Sequence, residues 1–310
     1  MLVTAALVLS AAMVVRAGAH ALILRGLRAP RLGHQRSPAD LGLAATAVRL
    51  SGANEKSLFA WFVPAAGVDV APVVVVMHGW GANASLMLPV VAPLHAAGLA
   101  VLLIDARCHG DSDGEPFTSL PRFAEDIEAG LDWLQQQPGV DRSRLALIGH
   151  SVGAGAALLC ATRRPDVRAV VSLSAFAHPR EVMRRFLSGA RIPYPVLGWY
   201  VLRHVQRVIG ARFDEIAPLT SVARARCPVL LVHGTHDETV PFSDALRLQA
   251  AALSGTVQCL AMPGGHDPTD VLDAHMPELL GFLRSTLVLA APGRVHPGGA
   301  PGDIQPKEIP

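Results

Sequence analysis

The feature that most constrains this sequence is the junction, within residues 144–157, between a short apolar run and a run of small residues. Residues 145–148 are apolar and lead into Gly-His-Ser-Val-Gly at 149–153, after which alanine and glycine dominate. This order predicts a buried strand that turns sharply into a helix, because a side chain at either glycine would collide with neighbouring backbone. Ser151 would then lie at the carboxyl end of the strand, beside the free N–H groups of a helix N-terminus. By itself, the pattern fits an activated serine and an ordinary turn equally well.

Composition narrows the classes of protein to consider. The chain has 310 residues, of which 51% are hydrophobic and 17% are charged, enough for one large core. The net charge is +2 and the arginines are scattered, so we expect no nucleic-acid partner. The histidines form no zinc-binding pattern, and we expect no metal and no cofactor. We expect free thiols rather than disulfides, since no two cysteines are spaced as Cys-x-x-Cys. The chain has four cysteines: Cys108, Cys160, Cys227 and Cys259.

From about residue 70 onward, apolar runs typical of strands alternate with segments that have helical spacing. Residues 46–50 and 57–63 flank a polar turn and predict an antiparallel hairpin at the sheet edge. Mostly apolar runs predict further strands at 73–77, 99–104, 145–148, 167–173, 229–232 and 257–261. The run at 73–77 is continuous, as expected of a strand that is buried on both faces. The alternation predicts an α/β fold, with a doubly wound, mostly parallel sheet and helices on both of its faces.

The alternation breaks between residues 176 and 226, here called the cap insert. Two helix-like segments, 181–187 and 196–209, are rich in aromatic residues and arginine. Because the insert follows the carboxyl end of a strand, we expect a small helical cap over that end; the alternative is a longer crossover helix away from any site. Six of its apolar side chains could line a pocket: Met183, Phe186, Trp199, Tyr200, Leu202 and Val205.

Two later strands end in residues that could activate Ser151. Asp237 follows the strand at 229–232, and His266 lies in a glycine-flanked loop after the strand at 257–261. A neutral imidazole can take the serine proton, and a carboxylate on its other nitrogen fixes the tautomer. The order serine, acid, base therefore predicts a catalytic triad. Glu238 is the alternative acid, and a helix cap and a surface-loop histidine are the non-catalytic alternatives.

Together these motifs resemble the α/β-hydrolase superfamily over about residues 45–288. The resemblance rests on the motif at 149–153, on His-Gly-Trp-Gly at 78–81, on Gly-Thr-His-Asp-Glu-Thr-Val-Pro at 234–241 and on Gly-His at 265–266. In addition, Asp-Ala-Arg-Cys-His-Gly-Asp-Ser at 105–112 is similar to the Asp-x-Arg-Gly-His-Gly-x-Ser of serine aminopeptidase-like and monoglyceride-lipase-like members, with Cys108 in place of the first glycine.

The resemblance implies a role for each of several residues. Ser151 would be the nucleophile, Asp237 the acid and His266 the base. The backbone N–H groups of Trp80 and Val152 would form the oxyanion hole. Trp80 and His150 are expected to contact the substrate.

The expected activity is hydrolysis of a small-molecule carboxylic ester through an acyl-enzyme, with lipid-like or acyl esters as candidate substrates. A peptidase or amidase of the serine aminopeptidase type is the main alternative, although the cap insert offers few acidic residues to hold a free α-amine. The third hypothesis is a non-catalytic interaction domain that is tethered to a membrane. Acyl chain, leaving group and oligomeric state are left open.

The first 24 residues are apolar apart from Arg16 and His20, and they could be a membrane anchor, a signal peptide or a soluble helix. An anchor needs about 20 residues, so it would include Arg16. Arginines at 25, 28, 31 and 36 would then keep the hydrolase domain cytoplasmic. A soluble helix would instead predict a soluble cytoplasmic protein, and a signal peptide would predict a secreted one. Residues 25–44 are predicted to be a linker, and the proline- and glycine-rich residues 289–310 a disordered tail.

Overall fold

Eight strands form a single sheet within the part of the chain that the computed structural model describes, residues 1–253, 255–267 and 269–287. The strands are β1 (Thr46–Gly52), β2 (Lys56–Val63), β3 (Ala71–Met77), β4 (Ala100–Ile104), β5 (Val140–His150), β6 (Val167–Leu173), β7 (Val229–Gly234) and β8 (Val257–Met262). Their order across the sheet is β1-β2-β4-β3-β5-β6-β7-β8.

The strand directions confirm the predicted mostly parallel sheet. β1 pairs antiparallel with β2 as the expected edge hairpin, with Thr46 opposite Phe62, and β2 pairs antiparallel with β4. The remaining neighbours are parallel. The carboxyl ends of these parallel strands therefore meet at one edge of the sheet, where ligands bind in open α/β sheets.

Helices cover both faces of the sheet. The α-helices of the described residues are α1 (Leu2–Gly26), α2 (Val91–Ala96), α3 (Leu120–Leu134), α4 (Val152–Arg163), α5 (Pro179–Gly189), α6 (Trp199–Ile209), α7 (Phe213–Ile216), α8 (Pro218–Ala223), α9 (Phe242–Ala251) and α10 (Thr269–Leu287). Successive strand residues point to opposite faces, so Leu102 packs in the layer with α3 and α4, while Leu103 packs in the layer with α2 and α10. This pattern explains why β3 and β4 are apolar and buried at every position.

The cap insert holds four α-helices, α5 to α8, and a short π-helix, Tyr194–Gly198, between β6 and β7. Leu187 of α5 and Leu202 and Val205 of α6 are buried against the core. On the same helices Phe186 and Trp199 are 60% and 56% exposed. The insert is therefore a helical cap that packs on the domain along one apolar stripe and leaves other apolar side chains at the surface.

α1 continues to Gly26, and by length and composition it could cross a membrane, a test that a signal sequence also passes. Its last turn contacts the domain, with Ile23 packed against the core and Leu27 buried in it. Near the same end, Nδ1 of His20 lies 2.9 Å from Nε2 of His204 on α6. The helix is thus held by the cap at its carboxyl end.

The segment after α1 lies along the domain. The side-chain amide of Asn83 donates to the carbonyl oxygens of Leu32 and Gly33, and Nε2 of His34 lies 2.8 Å from Oδ2 of buried Asp105. Part of the predicted linker thus contacts the loops at the carboxyl edge of the sheet. The predicted disordered tail, 289–310, lies outside the described residues.

Candidate active site

Ser151 lies in the sharp turn between β5 and α4. Its backbone has φ 54° and ψ −116°, and its N–H donates to the carbonyl oxygen of Leu173 at 2.8 Å. A side chain at Gly149 would collide with the carbonyl group of Gly153, and one at Gly153 would collide with that of His78. Both glycines are therefore sterically required, and the positive φ of Ser151 is imposed by the surrounding strands.

His266 lies between Ser151 and Asp237. Its Nε2 is 3.0 Å from Oγ of Ser151, and its Nδ1 is 2.8 Å from Oδ2 of Asp237. A carboxylate can only accept hydrogen bonds, so Nδ1 carries the proton and the lone pair of Nε2 faces the serine hydroxyl. The structure thus brings together the three residues predicted as a triad.

Asp237, rather than Glu238, faces the histidine. The side chain of Asp237 is fully buried, and its Oδ1 accepts the backbone N–H groups of Thr239 and Val240 at 2.9 and 2.7 Å. Its Oδ2 also lies 3.3 Å from Nε2 of buried His233. Glu238 is exposed to solvent. The tight turn after β7 therefore directs the Asp237 carboxylate toward His266 and the Glu238 carboxylate toward solvent.

His150, the residue before the serine, touches the histidine loop. Its Nε2 donates to the carbonyl oxygen of His266 at 2.9 Å, and burial lowers the pKa of the His150 imidazole. The ring is therefore neutral near pH 7. Sequence reasoning selected His150 as a substrate contact but missed this contact, because the two residues are 116 positions apart.

Two buried histidines shape the turn after β3. His78 donates from Nδ1 to the carbonyl oxygen of Gly79 at 2.7 Å, and its Nε2 accepts the N–H of Ala106 at 3.0 Å. Burial lowers the pKa of His78 to about 3, which keeps the ring neutral and able to accept. Nε2 of His109 accepts the N–H of Gly81 at 3.1 Å. Sequence reasoning missed these positioning roles, although both histidines stand in motifs that it had selected.

The loop at 105–112 is held by its own aspartate. Asp105 accepts the N–H groups of Ala84 and Asp111, each at 2.8 Å, and a side chain at Gly110 would collide with its carboxylate. Cys108 has φ 69°, the left-handed conformation that glycine adopts at little cost. Its sulfur accepts the N–H of Glu115 at 3.2 Å. The cysteine therefore holds a backbone conformation that favours glycine.

A cavity of about 980 Å³ opens beside the serine. Its wall includes Ser151, Val152 and His266, together with Trp80 and His150. Within the described residues, no group of three metal-ligating side chains lies together there or elsewhere.

Apolar side chains from several helices form most of the remaining wall. Of the six cap residues proposed from the sequence, Met183, Phe186 and Val205 line the cavity. Trp199, Tyr200 and Leu202 are not among the lining residues. The residues of α6 that face the cavity recur once per helical turn and form one stripe of the helix: Val201, Val205 and Ile209.

Comparison with known proteins agrees with this architecture. Residues 69–210 match a family model described as serine aminopeptidase S33. Over 232 residues the chain is 33% identical to an uncharacterized protein of Mycobacterium tuberculosis, an alignment that covers 74% of this chain and 75% of that relative.

Two solved structures share the fold. An esterase from Pyrococcus furiosus superposes with a TM-score of 0.68 at 21% identity, covering 84% of this chain and 97% of the esterase. A puromycin-hydrolyzing peptidase of Mycobacterium tuberculosis superposes with a TM-score of 0.65 at 21% identity, covering 81% of this chain and 40% of the peptidase. At such identities the likeness extends to the fold alone.

Proposed function

The chain belongs to the α/β-hydrolase superfamily, and from that premise we propose that it is a serine hydrolase that cleaves carboxylic esters. The observation that carries the proposal is the position of His266, which faces the Ser151 hydroxyl with one ring nitrogen and the buried Asp237 carboxylate with the other. A serine hydroxyl is a weak nucleophile at neutral pH, and this arrangement supplies the base that it lacks.

In the proposed reaction, Oγ of Ser151 attacks the ester carbonyl carbon while its proton moves to Nε2 of His266. The tetrahedral intermediate collapses, the ester C–O bond breaks, and His266 returns the proton to the leaving alcohol. Water then attacks the acyl-enzyme with His266 again as base. The carboxylic acid leaves, and Ser151 regains its proton.

The oxyanion would accept hydrogen bonds from the backbone N–H groups of Trp80 and Val152. Val152 is the first residue of α4, where backbone N–H groups lack acceptors within the helix. Trp80 lies in the turn that His78 and His109 hold in place. Such donors, fixed before the reaction, stabilise charge that develops only in the transition state. Both residues also line the cavity, which supports the proposal.

The apolar wall of the cavity supports an ester with an apolar acyl group, and Trp80 and His150 are the proposed substrate contacts beside the serine. We further propose that residues 1–24 associate the protein with a membrane and that the hydrolase domain lies in the cytoplasm. This is supported by the apolar α1 and by the arginines that follow it.

A peptidase or amidase is the second candidate, favoured by the serine aminopeptidase description of the matching family model. Capture of a free α-amine would require a carboxylate beside the serine. Among the described residues that line the cavity, Asp267 is the one acidic residue. Because most of the remaining wall is apolar, the cavity suits the acyl group of an ester better than a charged α-amine.

The proposal is tested with Ser151→Ala, and with Ser143→Ala on the same strand as the matched control, since Ser143 is exposed. Ser151→Ala is expected to lose fluorophosphonate labelling and at least ~10³-fold of p-nitrophenyl ester turnover. Ser143→Ala is expected to retain both. Faster cleavage of aminoacyl anilides than of esters would favour the peptidase. An unlabelled, inactive wild-type protein would favour the non-catalytic alternative.

A further inference from the structure

The last turn of α1 forms part of the cavity that contains Ser151. Leu22, Ile23 and Leu27 line this cavity together with the serine and His266. Leu27 is buried and Ile23 is partly buried, whereas side chains earlier on the helix, such as Val14, are exposed. One end of an apolar helix therefore belongs to the site, while the rest of it projects from the domain.

This end of α1 is held on two sides. On one side, Nδ1 of His20 lies 2.9 Å from Nε2 of His204 on α6. On the other, the carbonyl oxygen of Leu27 accepts the N–H of Thr118 at 3.2 Å, and Nε of Arg28 donates to the carbonyl oxygen of Pro116 at 3.3 Å. The helix end is thus positioned by the cap and by the loop before α3.

The rim of the cavity includes parts of α1 and α5. Leu22 and Phe186 both line the cavity, yet they are 71% and 60% exposed, so they stand at its rim. Arg25 also lines the cavity and is exposed. A cation at the end of an apolar helix is the arrangement found where a membrane helix meets lipid headgroups. The rim therefore continues directly into the apolar surface of α1.

We propose that α1 is a wall of the acyl pocket, and that the substrates are esters with a long apolar acyl chain, which enter from the bilayer between α1 and α5. The inference rests on the proposed function. A cavity of about 980 Å³ is at the upper end of the range for sites that enclose a small molecule, so a short acyl group would leave most of the wall without contact. Each additional methylene buried in the pocket should raise kcat/KM about fourfold until the pocket is filled.

The test compares Ile23→Trp, which places a large side chain in the pocket, with Val14→Trp, which makes the same change on the exposed part of α1. The full-length proteins are assayed in one detergent with p-nitrophenyl acetate, octanoate and palmitate. Ile23→Trp should lower the ratio of palmitate to acetate kcat/KM at least tenfold, whereas Val14→Trp should leave the ratio within twofold of wild type. Leu22→Trp, at an exposed rim position, repeats the test if Ile23→Trp does not fold.

A second arm tests the source of the substrate. A long-chain acyl ester is supplied either in phosphatidylcholine vesicles that contain phosphatidylglycerol or dispersed in detergent. Hydrolysis in the vesicles by the full chain is expected, and hydrolysis of the dispersed ester alone would overturn entry from the bilayer. An unchanged chain-length ratio in both pocket variants would overturn the role of α1 while leaving the proposed function intact. Absence of wild-type ester turnover and of fluorophosphonate labelling would instead overturn the proposed function.

Discussion

The imidazole of His150 donates a hydrogen bond from Nε2 to the carbonyl oxygen of His266 at 2.9 Å. The two rings also lie close, with centroids 5.1 Å apart. His150 stands immediately before the serine, so the strand that carries the proposed nucleophile also holds the loop that carries the proposed base. This contact links two parts of the site that are far apart in the sequence.

We therefore predict that His150 positions the histidine loop. Replacing it with alanine should remove the donor and lower kcat/KM for an ester by about 10- to 100-fold, since small displacements of catalytic groups are costly. His150→Gln keeps an N–H donor of similar reach and should recover most of the activity. Steady-state kinetics and the rate of fluorophosphonate labelling measure both variants. Equal losses in the two would argue against a role for this hydrogen bond.

A second prediction separates the two neighbouring acids. Asp237→Asn should lower kcat on the order of 10²- to 10⁴-fold, because an amide no longer fixes the imidazole in the tautomer that can accept the serine proton. The matched control, Glu238→Gln, changes an exposed side chain and should retain activity within about twofold. The pair is assayed with one p-nitrophenyl ester. A larger loss in the glutamate variant would assign the role to Glu238.

The third prediction concerns the left-handed backbone at Cys108, where φ is 69°. Cys108→Ala keeps the strain of a β-carbon in that conformation and loses the sulfur contact with Glu115, whereas Cys108→Gly removes the strain. We expect the alanine variant to be about 1 kcal/mol less stable than the glycine variant. Urea unfolding measures the difference. An alanine variant at least as stable as the glycine one would show that the loop relaxes.

The fourth prediction is a pH dependence at the segment after α1. The carboxylate of Asp105, 2.8 Å from Nε2 of His34, raises the pKa of the His34 imidazole above its ordinary value of 6.5. The pairing of His34 with Asp105 therefore stabilises the folded state fully below pH 6.5, the pKa of an unfolded histidine. This stabilisation is lost as the pH rises through the higher pKa that His34 has in the folded state.

His34→Phe tests this pH dependence, because phenylalanine retains the aromatic packing of His34 on Phe59 and Trp61 but cannot titrate. The free energy of unfolding of wild type minus that of the variant should be about 1 kcal/mol larger at pH 6 than at pH 9. Urea unfolding at the two pH values measures it. If the difference in unfolding free energy between wild type and variant is constant or grows with pH, the ion pair between His34 and Asp105 does not stabilise the folded state.

Local patterns in the sequence were sufficient to predict the fold. The run at 73–77 is apolar at every position because β3 is buried on both faces of the sheet. The glycines at 149 and 153 are needed for a turn whose atoms are neighbours in the chain or in the adjacent strand. Parallel strands align their carboxyl ends, so the positions of Ser151, Asp237 and His266, each after a strand of the sheet, already indicated that they would meet.

The remaining features depend on contacts that no local pattern encodes. The positioning contacts of His78 and His150 join loops from different strands, and a histidine in a loop has the same sequence signal whether or not it makes such a contact. The stripe of α6 that lines the cavity depends on how the cap is rotated on the domain. The apolar N-terminal stretch predicted a helix, but its sequence alone could not show that Ile23 would reach the serine's cavity.

The sequence by itself determined the positions of the strands along the chain, the sharp turn at Ser151 and the candidates for acid and base, because sterics and burial act there over a few residues or along one strand. Only the tertiary structure decided which acid faces His266, which histidines hold the loops, and that the end of α1 lines the cavity. These depend on the relative placement of segments far apart in the chain, which is set by packing of the whole domain.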